Sequence, residues 1–300
     1  MTVTDTQVED RYPTRTGNSA RLVERTDPTV WPGSADGPID QASLAAHDSR
    51  GYSVVEGLLS PAEVQTYWAE LQRLTRDDEV KADERTITEK TSGEVRSIFE
   101  VHRLSTLIAE LARDPRILDR AEQILGSEVY LHQTRVNYMP GFKGTGFYWH
   151  SDFETWHAED GMPTPRAVSC SIALADNYPF NGGLMVMPGS HWTYVSCPGE
   201  TPDDNYKSSL RDQRVGVPTR DVVTKLAAEH GIDQFTGNAG SALFFDSNIM
   251  HGSGNNITPY PRSNIFLVFN SVENELIEPF SAKRPRPEFV ASRHIVPLKR

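Results

Sequence analysis

The eleven residues Phe147 to His157 (FYWHSDFETWH) combine aromatic, imidazole and carboxylate side chains more densely than any other part of the chain. His150 and Asp152 stand two positions apart, and on an extended strand this spacing directs both side chains to one face. An imidazole beside a carboxylate supplies two members of the 2-His-1-carboxylate triad that holds non-haem Fe(II). The triad needs a second histidine, so the fold must bring a distant strand back to this segment.

The second half of the chain has the alternation of β-structure. Alternating side chains predict strands over residues 128–139 and 166–175, turns on both sides bound a short strand over 184–187, and two further strands are expected over 241–246 and 263–272. In the first of these, Leu131, Gln133, Arg135 and Asn137 are expected on one face and His132 on the other. Turns rich in Gly, Pro and Asn separate the strands, as is typical of sandwiches and barrels.

Helices are signalled in the first half of the chain. One is predicted from a cap at Ser60 to about Arg76, and a second between a cap at Asp114 and a closing glycine at Gly126. Residues 77–93 are charged and are interpreted as a mobile loop. The predicted fold is mainly β with flanking α-helices, a double-stranded β-helix (jelly roll, cupin-like). We expect an extended N-terminal arm over residues 1–40, one domain with a jelly-roll core over 41–290, and a C-terminal tail over 291–300.

Charge and hydropathy exclude several classes of function. The formal net charge of −11 disfavours a nucleic-acid partner, because phosphate contacts require clustered Lys and Arg. No apolar run approaches the roughly 20 residues that span a bilayer, and the first residues lack the apolar core of a signal peptide. Two cysteines are too few for a disulfide framework. We therefore expect a cytoplasmic protein that acts on a small molecule, without a membrane partner.

His251 has the best context of the remaining histidines for the missing ligand. It follows a predicted strand after a short connection, and Gly252, Ser253 and Gly254 after it allow a close backbone approach. Arg262 then stands at the start of the next strand. The sequence thus predicts a metal site from His150, Asp152 and His251, with an arginine nearby.

This order of residues resembles the Fe(II)/2-oxoglutarate-dependent dioxygenases of the phytanoyl-CoA hydroxylase-like branch. A longer set of segments, about residues 10 to 290 in all, is similar to the ectoine hydroxylases within that branch. The most similar segments are residues 132–137, 147–163, 177–183, 188–191 and 251–253. The resemblance implies that residues 41–290 form a dioxygenase domain, that the triad binds Fe(II), and that 2-oxoglutarate and O₂ take the positions left open. It also implies a homodimer.

The resemblance assigns Arg262 to the distal carboxylate of 2-oxoglutarate, to which its planar guanidinium offers a two-pronged donor. The other co-substrate contacts expected are Ser253, Phe147 and Asn137. In ectoine hydroxylases a lysine often precedes the Pro-Gly that follows the strand carrying the glutamine, and the resemblance assigns this lysine to the carboxylate of 2-oxoglutarate. This chain has Met139 at that position. A thioether cannot pair with a carboxylate, so we expect binding to rest on Arg262 with neutral donors such as Asn137, or on Lys143. The alternative for Arg262 is a surface salt bridge.

Ectoine is a cyclic amidine that carries a carboxylate, so its site needs an aromatic face for the delocalised cation and donors for the anion. Trp156 suits the cation, and Thr155 offers a hydroxyl. Gln133 and Asn264 offer amides. The alternatives are that Trp156 packs in the core and that the two amides bond only to neighbouring backbone.

The resulting hypothesis is hydroxylation of ectoine to 5-hydroxyectoine, a compatible solute, with Fe(II) as cofactor and release of succinate and CO₂. One alternative is a related dioxygenase that hydroxylates another small zwitterion, such as a free amino acid. The other is a catalytically silent jelly roll that binds a ligand or stores metal.

Overall fold

The structure, a computed structural model, describes residues 9–17, 19–33, 37–89, 93–142, 145–211 and 213–300. Lys143, one candidate co-substrate contact, lies outside these ranges. The helices are α1 (Gln41–Arg50), α2 (Pro61–Arg76), α3 (Asp78–Ala82), α4 (Thr106–Leu111), α5 (Pro115–Leu125), α6 (Asp152–Thr155), α7 (Tyr206–Ser209) and α8 (Arg220–His230). The strands are β1 (Arg21–Glu24), β2 (Tyr52–Val55), β3 (Thr86–Thr88), β4 (Val95–Phe99), β5 (Val129–Met139), β6 (Phe147–His150), β7 (Ala167–Ala173), β8 (Leu184–Val186), β9 (Thr193–Ser196), β10 (Asp233–Gln234), β11 (Ala242–Asp246), β12 (His251–Ser253) and β13 (Arg262–Ser271).

Two antiparallel sheets form the centre of the fold. The major sheet has the strand order β2-β11-β7-β13-β5-β4-β3, and the minor sheet has the order β10-β8-β12-β6. The long strand β13 pairs with β5 on one side and β7 on the other. The predicted double-stranded β-helix with flanking helices is confirmed by this architecture.

Both faces of the major sheet are buried, and alternation decides which side chain goes where. Phe244 and Leu267 point to the outer face, where they join an apolar cluster with the helices. Their neighbours Phe245 and Phe266 point to the inner face, between the two sheets. The strands therefore carry apolar residues on both sides, as expected of a covered sheet.

The helix boundaries follow the predicted caps. Ser60 and Glu63 form a reciprocal capping box at the start of α2. Asp114 accepts from the backbone N–H of Arg116 at the start of α5, and Gly126 ends that helix with φ 61°. Both helix predictions are confirmed. They could be made from the sequence because the caps and the apolar stripe indicate the same helix.

The interpretation of residues 77–93 as a loop is wrong for much of that stretch. Asp77 caps the short helix α3 through the N–H groups of Glu79 and Val80. Strand β3 pairs with β4 in the major sheet, which supplies backbone hydrogen bonds to residues with no clear apolar period. Tertiary pairing thus decides the conformation where local pattern does not.

A β-bulge changes the predicted faces of β5. Leu131 pairs with Phe269 and Gln133 with Val268, so His132 is the extra residue in the ladder. Leu131 consequently packs on the outer, helix-covered side, while His132 lies inside against Trp156. The prediction that Leu131 shares the face of Gln133 and that His132 faces the other way is therefore wrong.

Both ends of the chain pack on the sheets. In the predicted arm, β1 pairs with β9, and buried Arg25 forms an ion pair with Asp246 at 2.7 Å. Near the C-terminus, the N–H of Leu298 donates to the carbonyl of Val129. The boundaries at residues 40 and 290 stay predictions. Within the described ranges, no helix is long and apolar enough to cross a membrane.

Candidate active site

The segment that carries the predicted ligands changes from strand to helix between them. Strand β6 ends at His150, and Ser151 caps α6 by accepting from the N–H of Glu154 at 3.4 Å. Asp152 is therefore the first residue of a helix, and the expectation that it continues the strand is wrong. The helix then widens into a π-helical turn over Trp156–Asp160, a conformation common at functional sites.

The third predicted ligand comes from the neighbouring strand of the minor sheet. In β12, His251 stands directly opposite His150, with ring centroids 4.2 Å apart. One oxygen of Asp152 lies 3.6 Å from Nε2 of His150, and the other lies 3.7 Å from Nε2 of His251. The candidate ligand atoms of the three residues all lie within 4.8 Å of one another. Among the described residues, this is the one such group of histidine, cysteine and acidic side chains.

Hydrogen bonds fix the tautomers of both histidines. Nδ1 of His150 donates to the carbonyl of Tyr148 at 2.7 Å, and Nδ1 of His251 donates to that of Ile249 at 3.0 Å. Because a carbonyl can only accept, Nδ1 carries the proton of each neutral ring, and Nε2 is the nitrogen left to bind a metal beside Asp152. The donor set is then two imidazole nitrogens and one carboxylate, which suits non-haem Fe(II).

The protonation states agree with a metal site. Burial and the adjacent His150 lower the pKa of His251 to about 4, so its ring is neutral at physiological pH. Burial of Asp152 opposes ionisation, but His251, His150 and the permanently charged Arg135 favour the carboxylate form and hold the pKa of Asp152 below its ordinary value. Neutral His251 and ionised Asp152 are therefore already in the forms that bind a divalent iron.

The triad opens onto a cleft between the two sheets. Ten of the predicted site residues line it: Gln133, Asn137, Phe147, His150, Asp152, Thr155, Trp156, His251, Ser253 and Arg262. Asn264 is not among the lining residues. Its amide donates to the hydroxyl of Ser171 at 3.1 Å, inside the major sheet.

Arg262 is a buried cation without a partner carboxylate among the described residues. It is 3% exposed, and its Nε has no hydrogen-bond acceptor in the described part of the chain. Burial, reinforced by Arg135, lowers the pKa of Arg262 to about 10, which still leaves the group charged at neutral pH. The residue opposite it in β5 is Met139, which offers no charge. A buried charge of this kind is stable only with an anion beside it, and the cleft is the space available for one.

The other candidate co-substrate contacts are held in place by neighbours. The hydroxyl of Ser253 accepts from the N–H of Phe147 at 3.2 Å. The amide oxygen of Asn137 accepts from the hydroxyl of Ser97 at 2.8 Å. The guanidinium carbon of Arg96 lies 4.4 Å from the centroid of the Phe147 ring. These contacts fix side-chain orientation at the mouth of the cleft.

The candidate substrate contacts line the cleft and also make the packing and backbone contacts given as alternatives from the sequence. Trp156 lines the cleft, yet it is also a core residue with its ring edge-on to His132 at 5.0 Å. Gln133 lines the cleft while its amide nitrogen donates to the carbonyl of Val290 at 2.6 Å. Thr155 lines the same wall. Packing and backbone bonds thus hold these groups without removing them from the cleft.

Sequence reasoning missed two arginines of the cleft. Arg135 donates to the amide oxygen of Gln133 at 3.1 Å, and its guanidinium carbon lies 4.7 Å from the ring centroid of Phe266. Arg286 forms two hydrogen bonds with Asp160, at 2.7 and 2.5 Å, and also lines the cleft. Alternation in β5 could have identified Arg135, whereas Arg286 lies in an irregular segment with no pattern to reveal it.

Comparison with known proteins agrees with this geometry. The family model for phytanoyl-CoA dioxygenase matches residues 47–264. The chain is 64% identical to the ectoine dioxygenase of Nocardia farcinica over 96% of its length and 95% of the relative. It is 56% identical to the ectoine dioxygenase of Streptomyces coelicolor over the full length of both chains.

Solved structures extend the similarity to the fold. The crystal structure of EctD from S. alaskensis with 2-oxoglutarate and 5-hydroxyectoine superposes with a TM-score of 0.85 at 46% identity, over 95% of both chains. The crystal structure of the same protein with bound Fe gives a TM-score of 0.85 at 45% identity, over 97% of this chain and 98% of that one.

Proposed function

Because the chain belongs to the phytanoyl-CoA dioxygenase family and, within it, to the ectoine dioxygenases, we propose that it hydroxylates ectoine to 5-hydroxyectoine. The reaction uses Fe(II), O₂ and 2-oxoglutarate, and it releases succinate and CO₂. One oxygen atom of O₂ enters ectoine and the other enters succinate. Of the four electrons that O₂ accepts, two come from the C–H bond and two from the decarboxylated co-substrate.

The observation that carries the proposal is the placement of the triad beside an unpaired arginine in one cleft. His150, Asp152 and His251 cluster within 4.8 Å and leave the cleft side open. Bound there, Fe(II) supplies the redox chemistry that links O₂ to the oxidation of 2-oxoglutarate. The residues around it bind, orient and exclude water.

We assign the anchoring of 2-oxoglutarate to Arg262. Its buried charge has no described carboxylate partner, and a dianionic co-substrate supplies the missing charge. Ser253 and Asn137 add neutral hydrogen-bonding groups, and the ring of Phe147 covers the apolar chain of the co-substrate. Anchoring the far carboxylate leaves the 2-oxo acid end free to reach the triad.

We assign the ectoine site to the wall formed by Trp156, Thr155 and Gln133. The indole face suits the delocalised amidinium, and the amide and hydroxyl suit polar atoms of the ring. Arg135 adds a cation to this cleft, which favours a carboxylate on the substrate as well as on the co-substrate, whereas Arg286 is already paired with Asp160. Asn264 is not assigned to this site, because it bonds to Ser171 of the neighbouring strand and does not line the cleft.

Mass spectrometry of the product tests the proposal directly. The iron-loaded protein is incubated with ectoine, 2-oxoglutarate and O₂, and a gain of one oxygen atom in ectoine is expected together with stoichiometric succinate. A panel of other zwitterions, including free amino acids, is run in parallel. Faster turnover of another compound, or absence of substrate-dependent O₂ uptake, contradicts the assignment to ectoine.

Location and assembly extend the same proposal. We infer a cytoplasmic location, since the cytoplasm supplies 2-oxoglutarate and reduced iron. We infer a homodimer from the family resemblance. Light scattering of the purified chain measures its mass in solution, and a monomeric mass contradicts the dimer.

A further inference from the structure

Arg15, in the N-terminal arm, is buried beneath the segment that carries the metal ligand Asp152. Its side chain has no solvent exposure, although the residue lies near the start of the chain. Its backbone has φ 55°, which is uncommon for a residue with a side chain. Its N–H donates to the carbonyl of Cys197 at 2.9 Å. The arm is therefore held in a specific conformation at this point.

The guanidinium of Arg15 binds two carboxylates of one short segment. Its Nε and Nη2 donate to the two oxygens of Glu154 at 3.0 and 2.8 Å. Its Nη1 donates to Glu159 at 2.6 Å. Thr14 donates to Glu154 as well, at 2.7 Å. The arm thus binds α6 through the carboxylate of Glu154 and the π-helical turn through the carboxylate of Glu159.

The loop between Thr201 and Gly216, called the covering loop because residues in it line the cleft, meets the same group. Thr201 accepts from Arg15 at 3.0 Å, and Asn205 donates to Glu159 at 2.8 Å. Gly216 passes so close that a Cβ there would lie 2.4 Å from Glu154 and 2.6 Å from Arg15. Between these points, Leu210 and Val215 line the cleft. One guanidinium consequently connects the arm, the ligand-bearing segment and the covering loop.

We infer that Arg15 is a positioning residue that sets the affinity for ectoine and the coupling of 2-oxoglutarate consumption to hydroxylation. The inference rests on the proposed function and deepens it. Glu154 stands between the metal ligand Asp152 and the cleft residues Thr155 and Trp156, so a displaced Glu154 moves the substrate wall relative to the triad. The co-substrate anchor Arg262 lies in the major sheet, whereas Glu154 follows β6 of the minor sheet, so Arg262 is not moved.

Lysine cannot replace Arg15 in this role. A guanidinium presents five donors in a planar fork, whereas an ammonium is a point charge that cannot serve both carboxylates in the same geometry. The substitution Arg15→Lys therefore keeps the charge but removes the simultaneous pairing with Glu154 and Glu159. The arm also offers a matched control, because Arg25 is equally buried but pairs with Asp246, which does not line the cleft.

The experiment compares Arg15→Lys with Arg25→Lys in the iron-loaded enzyme. For Arg15→Lys we expect an ectoine KM at least about 10-fold higher, as is typical when the partners that orient ligand-bearing groups are changed. We expect the ratio of succinate to 5-hydroxyectoine to rise above one, with the KM for 2-oxoglutarate within about twofold of wild type. Arg25→Lys should lower the melting temperature and leave both ectoine KM and coupling unchanged.

Calorimetric titration of ectoine into iron-free protein with 2-oxoglutarate gives a readout independent of turnover. Arg15→Lys should bind ectoine more weakly than wild type by a similar factor. If Arg15→Lys does not fold, Thr201→Val removes one acceptor of the Arg15 guanidinium without changing a residue that lines the cleft, and the same changes are expected in smaller degree.

A lower melting temperature with wild-type ectoine affinity and coupling, in Arg15→Lys or in its replacement, overturns the inference and makes Arg15 a purely structural residue. The wild type in the same assays keeps the two hypotheses apart. Wild-type protein that neither binds nor hydroxylates ectoine refutes the proposed function, and the inference is overturned with it.

Discussion

The two faces of β13 serve different purposes, although the same ten-residue strand supplies both. On the outer face, Ile265, Leu267 and Phe269 pack in the apolar cluster under the helices. On the inner face, Arg262 is a buried charge without a described partner carboxylate, and Phe266 lies under Arg135. One face thus stabilises the fold, while the other holds groups that need a ligand to be satisfied.

The difference shows how the molecule tolerates an energetically costly cleft. An unpaired buried charge destabilises the folded state, and the apolar outer face offsets that cost. Substitutions on the two faces should consequently separate into those that change chemistry and those that change the free energy of unfolding. The predictions below test that separation.

The largest effect is expected at the triad. His150→Ala, Asp152→Ala or His251→Ala should abolish both iron content and turnover, because each removes one of the three protein ligands. Iron is measured by elemental analysis after reconstitution, and turnover by succinate release. Wild-type activity in any of the three contradicts the assignment of the metal site.

On the outer face, Leu267→Ala should lower the free energy of unfolding by about 2–5 kcal/mol, since it leaves a cavity in a fully buried cluster. Denaturant titration measures the change. Both KM values should stay at wild type in protein that remains folded. An altered ectoine KM would break the separation of the two faces.

On the inner face, Arg262→Met should raise the KM for 2-oxoglutarate by about 10–100-fold, because a charge-assisted hydrogen bond contributes about 1.5–3 kcal/mol. Without co-substrate, the variant should be as stable as wild type or more stable, since a buried unpaired charge is removed. Arg262→Lys is the control that keeps the charge but not the fork. Loss of stability with an unchanged KM would reverse the roles of the two faces.

The smallest effect concerns acid stability outside the cleft. Burial lowers the pKa of His47 from 6.5 to about 4, so the folded state keeps this ring neutral while the unfolded state protonates. Stability is therefore complete well above pH 6.5 and declines as pH falls toward 4, by about 1.4 kcal/mol at pH 5.5. His47→Asn should flatten this part of the stability profile. An identical pH dependence in the variant would contradict the assignment.

Sequence reasoning reached the parts of the molecule where local pattern and global fold agree. Caps at Ser60 and Asp114 and strict alternation in the long strands gave the right elements. The triad was reachable because His150, Asp152 and His251 have unusual spacing and context. Their convergence is confirmed by the pairing of β6 with β12.

The remainder depends on long-range contacts that leave little local trace. The bulge at His132 places Leu131 and His132 on the faces opposite to those predicted, and no glycine in the sequence signals it. Strand β3 exists because β4 pairs with it. Arg15 and Arg286 reach the ligand-bearing segment from irregular stretches at opposite ends of the chain. No periodicity marks such residues, since only the assembled fold brings them together.

The contacts of Arg15 also constrain when the arm can pack during synthesis of the chain. Its partners Glu154, Glu159 and Thr201 lie 139, 144 and 186 positions further along the chain. At roughly 5–20 residues per second, Arg15 is added to the chain about 10–40 seconds before Thr201. His251 follows later still. The catalytic cleft is therefore assembled near the end of translation, and until Thr201 is made the set of partners of Arg15 is incomplete.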